Sequence, residues 1–243
     1  MKYIMLLRLF FPLIFIFCSR IEEFPVYTVK NINSASVIID GISKDRAWEK
    51  AKILDDFLLP WDDKIPQQTK FRALYDRNNL YILFQAEDLN LIIKDTITKE
   101  LDITEEDRLE LYFSKDITME DYYCLEIDPL GRILDYQASF YRNFNNHWNI
   151  NRIQIAGNIF KEAYQLEIAI PVNCINEMGI DISEDFYIGL FRADLEDSSS
   201  VIKENWISWR DPQSPEPDYH IPEALGLIRF EICPVKEISG ISP

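Results

Sequence analysis

The sequence predicts an all-β protein, an antiparallel β-sandwich with short helical turns. Three features carry that reading. Apolar and polar residues alternate with period two along most of the chain, β-rich runs recur at short spacing with turn residues between them, and helical periodicity is sparse. With 243 residues, 47% hydrophobic and 13% aromatic, the chain can bury a core without metals or disulfides and lies far from a disordered composition.

The elements follow in order. Residues 70–75 and 80–86 flank the polar tetrapeptide Asp76-Arg77-Asn78-Asn79, which predicts a hairpin. Residues 108–113 and 122–128 read as the next strands, and Pro129-Leu130-Gly131 turns the chain into another over 133–140. Residues 163–170 alternate cleanly and stop at Pro171; 186–193 and 227–232 complete the set. Two segments read as helical turns: 43–49, with Ser43 as N-cap, and 171–178, entered through proline. No repeat, low-complexity linker or composition shift divides the chain. Residues 36–233 therefore read as one domain, with a lead-in over 19–35 and a tail over 234–243.

The first 18 residues read as an export signal. Lys2 and Arg8 supply its positive end and residues 9–17 an apolar run of signal length, interrupted by Arg8 and Pro12 and too short for a transmembrane helix. Cys18, at the border with Ser19-Arg20-Ile21-Glu22-Glu23, resembles the lipidated cysteine of a bacterial lipoprotein signal. The expected location is the periplasm or the cell surface, with lipidation at Cys18 as the anchor. Cys124 lies in an apolar strand pattern and reads as a small buried hydrophobe, while Cys174 and Cys233 leave room for one bridge at most.

Lys and Arg number 25 against 41 Asp and Glu, a net charge of −16 whose field repels phosphate backbones and excludes nucleic-acid binding. His147 and His220 are accompanied by no GxSxG, GxGxxG, GxxxxGK[ST] or HExxH motif and by no zinc-ligand spacing. Carboxylate pairs such as Asp107/Glu110 and Glu126/Asp128 are expected by chance among 41 acids. The acidic stretch 102–107 lacks the EF-hand spacing. The chain reads as non-catalytic.

Six pieces in order resemble one family. Ile39-Asp40-Gly41, followed seven residues after the glycine by Trp48, resembles the opening of family 9 carbohydrate-binding modules. Residues 71–82, FRALYDRNNLYI, are similar to that family's hairpin, and Asp107-Arg108-Leu109-Glu110-Leu111-Tyr112-Phe113 to its D-x-V-E-i-F strand. Residues 125–131, LEIDPLG, resemble the turn that follows; Ile207-Ser208-Trp209-Arg210-Asp211-Pro212 and residues 225–230, LGLIRF, resemble its closing motifs. The resemblance implies a β-sandwich that clamps a terminal sugar between two tryptophans, with structural calcium as its cofactor and a glycan or oligosaccharide as its partner. Carried over by position, Glu110 stands at a sugar-contacting glutamate and Glu126 at a sugar-contacting arginine. Thr104 replaces the first clamp tryptophan, Tyr219 takes the place of the second, and Arg192 lies near a polar contact.

Sugars are held by aromatic faces on their C–H patches and by buried polar groups on their hydroxyls. Trp48 reads as core. Trp206 and Trp209 are three apart, which on a strand puts them on opposite faces, so one of them at most reaches a ligand; Trp209 is the candidate. Trp61 and Trp148 are loop aromatics that could serve as platforms, and Tyr219 sits with His220 in a proline-rich loop suited to rigid display. The candidate ligand-binding residues are Glu110, Glu126, Arg192, Trp209 and Tyr219, in an exported, non-catalytic glycan-binding module acting in glycan capture or breakdown. The alternatives are a structural or protein-interaction sandwich without sugar binding, and a haem or other cofactor carrier, for which four Met and two His supply little.

Overall fold

The computed structural model describes residues 24–33, 36–198 and 201–231. The signal over 1–18 with Cys18, the tail over 234–243 and Cys233 with its bridge lie outside the described residues. Strands β1 (Val26–Asn31), β2 (Thr69–Tyr75) and β3 (Asn79–Glu87) come first, then β4 (Arg108–Ser114), β5 (Tyr122–Ile127), β6 (Ile133–Ser139) and β7 (Asn143–Asn145). They are followed by β8 (Gln154–Ile159), β9 (Ala163–Pro171), β10 (Phe186–Ser198), β11 (Val201–Ser208) and β12 (Gly226–Phe230). The hydrogen-bonded order is β7-β6-β5-β4-β10-β12-β1-β2-β3-β9-β8, with β11 on β10.

The predicted strands all form, and the all-β fold class holds. The expectation of a wholly antiparallel sheet does not. β1 runs parallel to β12 through Val26–Val29 and parallel to β2 through Lys30 and Asn31, so it passes from one half of the curled sheet to the other. Tyr27 and Val29 on this strand are fully buried. The packed unit thus begins within the segment read as a lead-in, ahead of residue 36.

The two halves pack face to face. Phe71, Phe84 and Ile168 of β2, β3 and β9 meet Leu111, Phe113 and Leu190 of β4 and β10 in the main core. Each such side chain contributes roughly 1.5–3 kcal/mol by leaving water. Period two sends the alternate residues of β4, β5, β6 and β10 to the opposite face. There Tyr112, Cys124, Tyr136 and Phe191 form a second apolar cluster, covered by Tyr219, Ala224 and Leu225. This second cover explains why every residue of β4 is buried.

Local chemistry fixes the loops. Asp76 accepts the N–H groups of Asn78 and Asn79 and the Tyr81 hydroxyl, closing the hairpin between β2 and β3. Asp128 accepts the N–H groups of Leu130 and Arg132, and Gly131 takes φ +82 in the turn after β5. The segment at 43–49 departs from expectation at its start. Ser43 has φ +53 and is no N-cap; a 3-10 turn spans Arg46–Lys50, and Asp45 instead accepts the Ile38 N–H. The turn entered through Pro171 forms as α1 (Val172–Glu177) and ends at Gly179, φ +76.

The opening motif is organised by an acid the sequence did not single out. Glu167 of β9, fully buried, accepts the Gly41 and Asp40 N–H groups and the Trp48 indole N–H at 2.9, 3.3 and 2.9 Å. Trp48 is core, as expected. Cys124 is buried as expected, and the Cys174 thiol donates to the Asn151 carbonyl at 2.9 Å.

Candidate functional site

A cavity of about 830 Å³ opens on the outer face of β5 and β6. Its floor is Glu126 of β5 with Leu134 and Tyr136 of β6. One wall is the 3-10 turn Glu100–Glu105, contributing Leu101 and Thr104; the other is Phe144 of β7, with His220 beside it. Sheet register dictates the floor: Glu126 pairs with Leu134, and Tyr136 is two residues on, so all three point outward. Asp102 pins the wall by accepting the Thr98 and Lys99 N–H groups and the Thr98 hydroxyl.

A buried polar chain runs beneath the floor. Arg108 Nε lies 2.9 Å from Glu110 Oε1 and 2.9 Å from Glu126 Oε2, and its Nη2 lies 3.0 Å from Glu204. The Tyr136 hydroxyl donates to Glu126 Oε1 at 2.9 Å, and the Tyr112 hydroxyl donates to Glu110 Oε2 at 3.1 Å. Three carboxylates therefore face one guanidinium. Burial opposes the charge on Arg108, but those three acids outweigh it and hold the guanidinium firmly protonated. Burial, then the Glu110 carboxylate, pushes Glu126 up to about 7.

His220 continues the chain, with Nε2 3.3 Å from the Tyr112 hydroxyl and Nδ1 3.0 Å from the Tyr122 hydroxyl. Tyr112 spends its proton on Glu110, so His220 donates from Nε2 and accepts Tyr122 at Nδ1, as a neutral imidazole does. Burial holds its pKa down, to about 4. At neutral pH His220 is thus an uncharged aromatic wall. Phe144 stands edge-on to both His220 and Tyr136, with ring centroids 5.3 and 5.4 Å apart.

Among the sequence candidates, Glu110 and Glu126 come together across β4 and β5. Arg192 does not join them. It pairs with Leu109, one residue out of phase with Glu110, and so faces the sandwich interior. There it lies 3.1 Å from Asp88 and 2.5 Å from Asp194, fully buried. Trp209 is likewise interior core, while Trp206 packs on the outer cluster, the opposite-face arrangement expected for the pair. Tyr219 is not displayed: its ring is 1% exposed, stacks on Phe191 at 3.9 Å, and its hydroxyl donates to the Ile207 carbonyl at 2.9 Å. The loop after β11 folds back on the sheet, so the proline-rich segment buries its aromatic. Trp61 donates to the Ser214 carbonyl and packs against Trp206 and Tyr219; Trp148 packs on Tyr123. Thr104 lines the cavity, its hydroxyl turned to the Leu101 carbonyl.

Sequence reasoning missed Phe144 and Tyr136. Tyr136 had a signal, since it shares strand parity with the outward face; Phe144, between two asparagines, had none.

One cluster has hard-cation donors: carboxylate oxygens of Asp88, Asp107 and Asp194 lie within 4.8 Å of one another. Against three acids stands one Arg192, a formal excess of two negative charges that a divalent ion would balance. Among the described residues the buried Tyr164 hydroxyl and the Arg192 Nε have no hydrogen-bond partner, and the Tyr164 ring lies 5.7 Å from the Arg192 guanidinium carbon. The donor set and the charge suit calcium.

The family model described as "Carbohydrate family 9 binding domain-like" matches residues 39–231. No curated protein matches the chain in sequence. Among solved structures, a Bacteroides uniformis protein described as a candidate carbohydrate-binding protein is similar with a TM-score of 0.69 at 13% identity, covering 86% of this chain and all of that one. A family 9 carbohydrate-binding module of Caldicellulosiruptor kristjanssonii, in complex with cellotriose, is similar with a TM-score of 0.59 at 15% identity, covering 90% of this chain and all of that one. A family 9 carbohydrate-binding module of Caldicellulosiruptor kristjanssonii in complex with glucose gives 0.52 at 17% identity with the same coverage. At these identities the likeness concerns the fold.

Proposed function

Because the chain belongs to the carbohydrate family 9 binding domain-like family, we propose that it is a non-catalytic module holding a glycan in the cavity over Glu126. The observation that carries this reading is the cavity itself. It offers apolar and aromatic walls from Leu101, Phe144, Tyr136 and His220 around a carboxylate floor, the combination that covers sugar C–H faces and bonds their hydroxyls. Its 830 Å³ suits a ligand of one to a few sugar units. The Caldicellulosiruptor kristjanssonii modules, in complex with cellotriose and glucose, support saccharides as the ligand class.

In this proposal Phe144 and Tyr136 supply the aromatic surface that Thr104 does not. Glu126 contacts the ligand, and Glu110 holds Arg108 and Tyr112 behind it. Tyr219, Trp209 and Arg192 build the framework. Calcium belongs at Asp88, Asp107 and Asp194, as a structural ion. Export rests on Lys2, Arg8 and the apolar run at 9–17, with Cys18 as the lipid anchor at the cell surface, where the module would serve glycan capture beside glycoside hydrolases.

The test is a glycan-binding screen of residues 19–243 with calcium and then with chelator, followed by calorimetry on any hit in the wild type and in Phe144→Ala. Saturable binding weakened in the variant supports the reading. Silence from a folded protein across the panel overturns it in favour of a protein-interaction sandwich.

A further inference from the structure

We propose that the cavity selects saccharides bearing a free ammonium group, amino sugars, over neutral sugars and uronic acids; this rests on the glycan-binding reading above. The argument begins with the charges that meet at the floor. Glu110, Glu126 and Glu204 surround the single guanidinium of Arg108, and the first two are almost wholly buried. One cation serves three acids, and at this buried site the imbalance makes Glu126 hold a proton unusually tightly, so a ligand ammonium can take that proton's place.

Glu126 is the member of that group that opens into the cavity. Its two oxygens each accept one hydrogen bond, from Arg108 and from Tyr136, and each keeps a lone pair for a further donor. The rim adds Glu100. Its one cation, Lys99, is largely exposed and lies 4.0 Å from Asp102.

The remaining walls suit a cation as well. Phe144, 45% exposed, presents an aromatic face within the same cavity as the carboxylate, and the buried Tyr136 and uncharged His220 line it with little exposed ring. A carboxylate beside aromatic faces is the chemistry that holds ammonium groups, through a charge-assisted hydrogen bond on one side and the ring quadrupole on the other. A uronic acid brought to the same floor would add a fourth carboxylate to an unbalanced set. A neutral sugar would find hydroxyl partners but leave the imbalance uncompensated.

The experiment is calorimetric titration, near neutral pH, with four oligosaccharides of similar size: the glucosamine trimer, its N-acetylated counterpart, cellotriose and trigalacturonate. The glucosamine trimer is expected to bind about tenfold or more tighter than the acetylated trimer or cellotriose, with trigalacturonate weakest. Cellotriose should compete with it for one site, and the order should persist when salt is raised from about 0.15 to about 0.5 M, which removes general attraction to an acidic protein. Glu126→Gln should reduce the ratio of amine to acetylated affinity to about twofold or less. Arg108 keeps Glu110 and Glu204 in that variant, and circular dichroism checks its fold. Should Glu126→Gln misfold, the wild-type ranking alone decides. Acetylated or acidic trimers binding as tightly as the amine overturn the inference while leaving glycan binding intact. Silence toward all four overturns both.

Discussion

Glu110 and Glu126 stand opposite each other across β4 and β5 and share one Arg108 Nε, each at 2.9 Å. Both carboxylates are held beside one guanidinium nitrogen by the strand register, Glu126 accepting its N–H and Glu110 in ion-pair contact, since turning either away would leave a buried polar group unpaired in the second core. The pair makes the cavity floor electrostatically unusual and gives it a pH signature.

Glu126, pushed up to about 7, holds its proton more tightly folded than unfolded, so it removes stability as pH rises from about 4.5 toward 7. His220, held to about 4 against an ordinary 6.5, does the reverse: it removes stability as pH falls through that window, because the unfolded chain binds the proton first. The two slopes oppose. The groups facing Glu126 are Glu110, Arg108 and Tyr112 of β4, Tyr136 of β6, Glu204 of β11 and, across the cavity, His220, Glu100 and Lys99. Of these, His220 is the one expected to titrate against it. Asp107, also pushed up by burial to about 7, titrates alike in both proteins, so the test is their difference: the urea midpoint of Glu126→Gln should rise relative to the wild type as pH goes from about 4.5 to 7 and exceed it above pH 7. Parallel curves for the two proteins would contradict the assignment.

Glu167 should be among the costliest acids to remove. It accepts the Gly41 and Asp40 N–H groups and the Trp48 indole, tying the opening motif to β9. Orphaning buried donors costs roughly 1–3 kcal/mol each, so Glu167→Ala should lower unfolding stability by about 3 kcal/mol or more in urea titration. Glu167→Gln keeps one acceptor oxygen and should lose about half as much. Gly41 is set against the Gly157 carbonyl, which a Cβ would approach to 2.9 Å at φ +76, so the loop has no freedom to relax toward other donors.

The strands were legible because period two is a local property, written into 163–170 or 108–113 by residue type alone. β1, β7, β8 and β11 were not read from it, β1 because Tyr27 and Val29 are buried by β12 and β2, partners distant in sequence. The site divided in the same way. Glu110 and Glu126 came from the family resemblance and are brought together by the pairing of β4 with β5, whereas Arg192 falls on the other face by one residue. The burial of Tyr219 depends on how the segment after β11 folds onto Phe191, which no residue pattern in Pro217-Asp218-Tyr219-His220 reveals. Phe144 becomes prominent only because β7 turns back beside β6 and leaves its ring 45% exposed at the cavity wall.

Calcium makes a separate prediction. An ion bound by the folded state alone raises stability with its concentration, by roughly 2.7 kcal/mol at a hundred times its dissociation constant. Thermal unfolding in calcium should exceed that in chelator by several degrees, and Asp107→Asn should abolish the difference. Identical melting of the wild type in both conditions would mean that Arg192 alone balances the three acids.

Phe144 and Tyr219 separate the two aromatic roles most sharply. Tyr219 is buried, stacked on Phe191 and bonded to the Ile207 carbonyl, so Tyr219→Ala opens a cavity in the second core and should cost about 3–5 kcal/mol. Phe144 makes edge contacts with Tyr136 and His220 but leaves much of its ring in solvent, so Phe144→Ala should cost about 1 kcal/mol or less. Binding should invert that order. Loss of the exposed ring at the cavity wall should weaken glycan affinity about fivefold or more, since an aromatic face is the largest apolar surface the ligand meets. Denaturation and calorimetry on the two variants test both halves. A Tyr219→Ala protein that keeps its stability yet loses glycan affinity would return that tyrosine to the binding surface.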